Sequence, residues 1–522
     1  MYRKSSVRWR VLGGSALTVA LSLSLCGLAA SPASAAPSHD PVLGAGKVQA
    51  DINGDGYADL ITSTLLYDDD RSGALVVLFG SATGLRTTGQ QRLNPSDLPA
   101  AGLDAFLIDD IVTGDFDGDG FDDLAIANPR AMIGSDESAG VVYVVPGSAS
   151  GLNLAGAKTW SQSSPGVAGS PSRLDEFGSA LAAADFGGGP EIDLAIGVRG
   201  HRADQNYTYG SGIVQVLYGS PTGLTGKGSQ VWSQDTRGVP GKAENSDFFG
   251  EDLAAGNFDG KNKADLAVGV PWENHSGEGN AGAVTVIYSS ASKLSAAGSE
   301  SWSQSSRGIA GKAEHGDLFG TTLAAGNFTG SSRDDLAISA IGEEFSGRND
   351  TGSVTVLKGS STGLTAKGSQ VWSQKQLGAG NETADRLGET LVAADFGRNP
   401  AGTVRGDLLI GSRPAYGEPT PRAYLLYGSN AGLGQVQIIE QGSGSFAAAD
   451  FNTLDSAGVR YADLVRVDAQ GIVGDALSLE IFAGSATGLP TTKSQSIPLT
   501  AVDLPDNPDV ERLLQLNAAG SR

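Results

Sequence analysis

One apolar segment recurs seven times along the chain, and this constrains the fold more than any other feature. It reads LVVLFGSATGL ending at Leu85, VYVVPGSASGL ending at Leu152, VQVLYGSPTGL ending at Leu224 and VTVIYSSASKL ending at Leu294. The remaining copies are VTVLKGSSTGL ending at Leu364, AYLLYGSNAGL ending at Leu433 and LEIFAGSATGL ending at Leu489. Spacing is about 70 residues over most of the chain, the range in which a repeat is one supersecondary unit that cannot bury a core alone. Each copy is a β-branched run ending in a Gly-Ser turn, as expected of a strand entering a hairpin.

A second segment precedes each copy. It reads ADINGDGYADLI from Ala50, GDFDGDGFDDLAIA from Gly114, ADFGGGPEIDLAIG from Ala184, GNFDGKNKADLAVG from Gly256 and GNFTGSSRDDLAIS from Gly326. Longer versions start at Ala394 and Ala449. Trp160, Trp232, Trp302 and Trp372 each open a Trp-Ser-Gln triplet after the hairpin. Each repeat therefore holds four short strands. The first ends in Asp-Phe or Asn-Phe, the second is the Asp-Leu-Ala-Ile run, the third the Val-x-Val run, and the fourth carries the Trp. Seven four-stranded antiparallel meanders predict an all-β, seven-bladed β-propeller over residues 42–505. The 75 glycines, spread between apolar runs, supply the many turns this requires.

Residues 1–36 read as a secretory signal. Arg3, Lys4, Arg8 and Arg10 form a basic front, an apolar run covers Val11 to Ala30, and Ala33-Ser34-Ala35 offers a cleavage site. A secreted, extracellular or cell-envelope location is expected, with no transmembrane segment once the signal is cleaved. Cys26, the one cysteine, lies in the signal, so the mature chain has no disulfide. Net charge is −22, and losing the basic front makes it more negative. Such a field repels phosphate backbones, so nucleic acid is not an expected partner. Residues 506–522 form a tail with no assigned role.

The Phe-Gly pairs at Phe177-Gly178, Phe249-Gly250 and Phe319-Gly320, the Asp-x-Asp-x-Asp-Gly loops and the Gly-Val-Pro ending at Pro271 resemble the FG-GAP repeats of the integrin α-subunit propeller. The resemblance covers nearly the whole mature chain. It implies seven blades, calcium in first-hairpin loops, and extracellular recognition of the adhesion type by a free-standing propeller.

The loops of the first two repeats carry the sharpest chemistry. Calcium takes about six to eight oxygens at roughly 2.3–2.6 Å, and a nine-residue loop with acids at positions 1, 3, 5 and 9 can supply them. Position 6 is glycine for the turn, and position 7 offers its carbonyl. The first loop presents Asp51, Asn53, Asp55, the Tyr57 carbonyl and Asp59. The second presents Asp115, Asp117, Asp119, the Phe121 carbonyl and Asp123. With one carboxylate more, the second is expected to bind Ca²⁺ more tightly. The third loop keeps Asp185, Glu191 and Asp193; the fourth places Lys261 and Lys263 within its ring, where an ammonium can replace the ion; the fifth holds Arg333. The seventh offers Asp450, Asn452 and Asp455. Solvated acidic turns are the plain alternative for all of these.

No catalytic constellation stands out. Gly359-Ser360-Ser361-Thr362-Gly363 matches a nucleophile-elbow pattern, but it aligns with the other Gly-Ser hairpins and lacks a strand-turn-helix setting. His39, His201, His275 and His315 form no zinc pattern. The Trp-Ser-Gln set reads as outer-strand packing. Loops joining strands two and three lie opposite the acidic loops and break the repeat; they hold Tyr207, Tyr209, Trp272, His275 and Phe345. The expected function is a monomeric scaffold binding an extracellular protein or glycan. A polysaccharide hydrolase or lyase on the same scaffold is the alternative.

Overall fold

The computed structural model describes residues 25–26, 50–64, 74–99, 108–204, 207–261, 263–275, 277–344, 350–378, 386–398, 405–412, 422–440, 446–451, 461–468, 478–498 and 502. Its strands form seven four-stranded antiparallel sheets, each ordered as consecutive strands of one repeat. Blade 3 shows the pattern: strands Phe177–Ala184, Asp193–Val198, Ile213–Tyr218 and Thr225–Trp232. Every blade is built from continuous sequence, from the second, which starts at Ile111, to the seventh, which ends at Pro498. In the first, Leu25–Cys26 supplies the first strand, pairing with Leu60–Thr64. Those two residues fall within the segment read as a signal, ahead of the boundary expected at Val42. The proposed tail and most of the signal lie outside the described residues.

The hydrophobic cores lie between blades. Seven clusters of buried side chains each join two neighbours, and the one joining Leu60, Val76 and Leu78 to Phe451, Val465 and Ile481 closes the ring from blade 7 to blade 1. This explains the continuous apolar runs of the second and third strands: both faces of each sheet are covered, so the alternation of a one-sided sheet is lost. The aromatic after the first loop position is a core residue, as at Phe116, Phe186, Phe258, Phe328 and Phe396, with Ile52 in its place in blade 1.

Backbone bonds complete the closure. The N–H of Asp122 donates to the Asp51 carbonyl at 3.1 Å, Ile192 to Asp115 at 3.1 Å, and Ala264 to Asp185 at 2.9 Å. Asp334, Gly406 and Ala462 repeat this toward Asn257, Asn327 and Asp395, and Ala58 donates to Asp450 across the closing junction at 3.0 Å. The same atom pair thus joins all seven neighbours. On the outer strands a glutamine amide grips the leucine that ends the next blade's hairpin. Gln91 does so at Leu152, Gln370 at Leu433 and Gln495 at Leu85.

The Phe-Gly pairs mark where a first strand bulges against the preceding blade. Phe249 donates its N–H to the Ser211 carbonyl at 3.0 Å. Gly212, at φ 78, sits so close that a Cβ there would collide with the Phe249 backbone.

Candidate functional site

Loops joining the first and second strands crowd one rim of the ring. Their ninth-position aspartate is a structural element in every blade. Asp123 accepts the Phe116 N–H at 3.1 Å and the Gly147 N–H at 2.9 Å. The equivalent bond from the third strand's end reaches Asp59, Asp193, Asp265, Asp335, Asp407 and Asp463. These carboxylates lock the first hairpin to the third strand in acidic and non-acidic loops alike. Burial pushes their affinity for a proton up: Asp59 to about 8, Asp123 to about 7, Asp265 to about 7 and Asp335 to about 6.

In the second loop, Asp115, Asp117 and Asp119 place carboxylate oxygens within 4.8 Å of one another. Backbone N–H groups hold them there: Gly120 donates to Asp115 at 3.2 Å, Asp119 to Asp117 at 3.1 Å, and Phe121 to Asp119 at 3.0 Å. Asp117 is raised by burial and by the charges of Asp119 and Asp115. Three convergent carboxylates with no cationic side chain bonded to them form a donor set that suits a hard divalent cation.

The first loop is arranged differently. Asp51 accepts from the Asp55 and Gly56 N–H groups, at 2.9 and 2.8 Å. Asn53 turns its amide nitrogen toward Asp55 at 3.1 Å, and Arg86 pairs with Asp55 at 3.3 Å. Part of its charge is thus already balanced. Tyr57 and Phe121 occupy the seventh positions, and the Phe121 ring lies against Gly54 of the first loop.

The lysines of the fourth loop part company. Lys261 pairs with Asp259 of its own loop at 2.6 Å, as the expectation had it. Lys263 instead crosses to the third loop, donating to the Asp185 carboxylate and, at 3.0 Å, to the Gly189 carbonyl. Asn452 and Asp455 of the seventh loop lie outside the described residues.

On the opposite face, an open cleft of about 360 Å³ lies between blades 3 and 4. Arg199 and Arg202 follow the second strand of blade 3, Tyr209 lies in its next loop, and Phe248, Glu251 and Trp272 come from blade 4. Tyr209 and Trp272 are exposed, and Trp272 meets Phe248 edge-on at 6.2 Å. Arg199 bonds Glu176 at 2.6 Å and Glu251 at 2.9 Å. Asn245 pins the tip loop by accepting the Thr208 and Tyr209 N–H groups, both at 2.9 Å. Glu176 and Phe248 hold left-handed backbone, at φ 58 and 53, a strain that packed surroundings must sustain. The sequence singled out Tyr209 and Trp272; the arginine and its two glutamates escaped it because they come from three separate segments. Phe345 lies outside the described residues.

The Trp-Ser-Gln triplets are packing elements. Trp232 is buried, and Gln234 and Gln304 are buried with their amides on Glu273 and Glu343. Gly359–Gly363 is a plain hairpin, with Ser360 Oγ donating to the Gly363 carbonyl at 2.7 Å. His315 bonds the Gly279 carbonyl at 2.6 Å.

Seven four-stranded blades closed into a ring, with Phe-Gly bulges and acidic first hairpins, define an integrin alpha-like FG-GAP propeller. The FG-GAP repeat family matches residues 109–145 and 249–287, the stretches holding the second acidic loop and the fourth. Integrin alpha-4 of Xenopus laevis is 31% identical over 156 residues, covering 30% of this chain and 14% of that relative. Among the described residues no helix is long and apolar enough to cross a membrane.

Proposed function

We propose that the protein is a secreted, calcium-binding propeller that serves as an extracellular binding scaffold of the adhesion type. One observation carries this reading: the ring separates its chemistry onto two faces. The acidic rim holds Asp115, Asp117 and Asp119 in a set that suits calcium, with the Phe121 carbonyl and Asp123 completing it. Asp51, Asn53, Asp55, the Tyr57 carbonyl and Asp59 form the weaker site. The other face holds the pinned aromatic and arginine cleft, whose volume falls within the range of small-ligand sites. Calcium in this arrangement rigidifies hairpins and stays clear of the ligand. Exposed Tyr209 and Trp272 offer apolar faces with polar neighbours, a surface suited to a sugar ring or an extracellular peptide.

The test is a glycan and protein array probed with the secreted protein, alongside Trp272→Ala and Arg202→Ala. A hit lost in both variants and kept in chelator supports the reading. Hits that survive both substitutions, or turnover of a polysaccharide in their place, overturn it.

A further inference from the structure

The side chain at the seventh loop position leans back over the loop of the preceding blade. The bond ring described above causes this. The next residue's N–H is fixed to the preceding loop's first carbonyl, so the seventh side chain has only that neighbour to cover. A Cβ built on Gly54 would meet the Phe121 ring, one on Gly118 the Glu191 side chain, one on Gly260 the Arg333 guanidinium and one on Gly330 that of Arg405. Lys263 reaches Asp185 and Gly189 in the same manner. Arg333 also donates to the Asp259 carbonyl at 3.4 Å.

The charge of this overhanging residue differs from loop to loop. It is cationic over the third, fourth and fifth loops, which lack the full acid set. Over the second loop, the one with three convergent carboxylates, it is Glu191. Glu191 is only 8% exposed, and among the described residues its carboxylate has no hydrogen-bond or ion-pair partner. Its Cγ lies 3.3 Å and its Oε1 3.7 Å from where a Cβ on Gly118, between Asp117 and Asp119, would stand. A buried, unpartnered carboxylate beside three others is costly unless a cation answers it.

We propose that Glu191 is an additional acidic group of the second-loop cation site, contributed by blade 3, so that the cation clamps two blades together. Lys263 is the counterpart one junction on: its ammonium stands where the third loop would otherwise need an ion. The seventh-position residue of each blade thus decides how the preceding loop balances its charge. This rests on the calcium reading above.

The experiment is calcium titration calorimetry with thermal unfolding on wild type, Glu191→Gln, Glu191→Lys and Asp119→Ala. Glu191→Gln should weaken the tightest site by about 10-fold or more, the usual cost of losing a supporting ligand. Glu191→Lys should remove one bound calcium and its stabilisation, while unfolding in chelator no earlier than wild type. Calcium uptake that depends on Asp119 but is the same in both Glu191 variants overturns the inference alone. Uptake indifferent to Asp119 overturns the calcium reading together with it.

Discussion

Replacing Gln495 with alanine removes the side-chain clasp at the one junction where the last blade meets the first. Gln495 Nε2 donates to the Leu85 carbonyl at 2.6 Å, and the Leu85 N–H donates back to Oε1 at 3.1 Å. Leu85 is 4% exposed, so both backbone groups lose their partners in a nearly dry site. Each costs about 1–3 kcal/mol, and partial hydration brings the pair to about 2–4 kcal/mol. Unfolding entropy of about 2.1 cal/mol/K per residue over roughly 450 residues makes 1 kcal/mol worth about 1 °C, so the midpoint falls by about 2–4 °C. Calorimetry of Gln495→Ala beside Gln91→Ala, which breaks the matching clasp on Leu152, measures this. The two should cost the same within about 1 kcal/mol. A destabilised Gln91→Ala with a silent Gln495→Ala would mean that the ends do not meet, and would refute the closed ring.

Asp335→Ala removes the acceptor for the Gly359 N–H and should cost about 1–3 kcal/mol whether or not calcium is present, as read by urea unfolding in both conditions. Asp119→Ala should abolish the tighter calcium binding, expected near 10⁻⁴–10⁻³ M or somewhat tighter, and with it the calcium-induced rise in midpoint. Gly212→Ala forces a Cβ into the Phe249 backbone at positive φ and should cost more than about 2 kcal/mol, seen as a lower midpoint or poor secretion. Buried Asp193, Asp265 and Asp335 bind their protons more tightly folded, to about 8, 7 and 6, than unfolded, near 3.8. Their stabilising effect is complete below pH 4 and is lost as pH rises through 6–8, so in chelator the midpoint should be lower at pH 8 than at pH 5.

The repeat made blade number, strand order and hairpin positions legible, because each unit carries its own turn glycines and β-branched runs. The acidic loops were legible for the same reason: their donors lie within nine residues. What the sequence hid lies between repeats. Lys263 aligns with the inside of its own loop, yet its side chain serves Asp185 of the neighbour, because the backbone bond from Ala264 turns it outward. Glu191 looked like a remnant ligand of the third loop, and its place over Gly118 appears only once adjacent blades are docked. The paired roles of Asp59 and Asp123 were half legible. Their alignment marks them as ligands, but their bonds to Gly80 and Gly147 recur in blades whose loops lack the acid set. The arginine of the opposite cleft shared no motif with the aromatics around it, since blades 3 and 4 contribute them from distant segments.

Anomalous diffraction from crystals soaked in a calcium-mimicking lanthanide tests the account most directly. The account predicts the strongest peak among Asp115, Asp117 and Asp119, with Glu191 facing it from blade 3, and no peak in the third loop beside Lys263. A cation seated in the third loop with Lys263 displaced, or a bare second loop at millimolar ion, would contradict it.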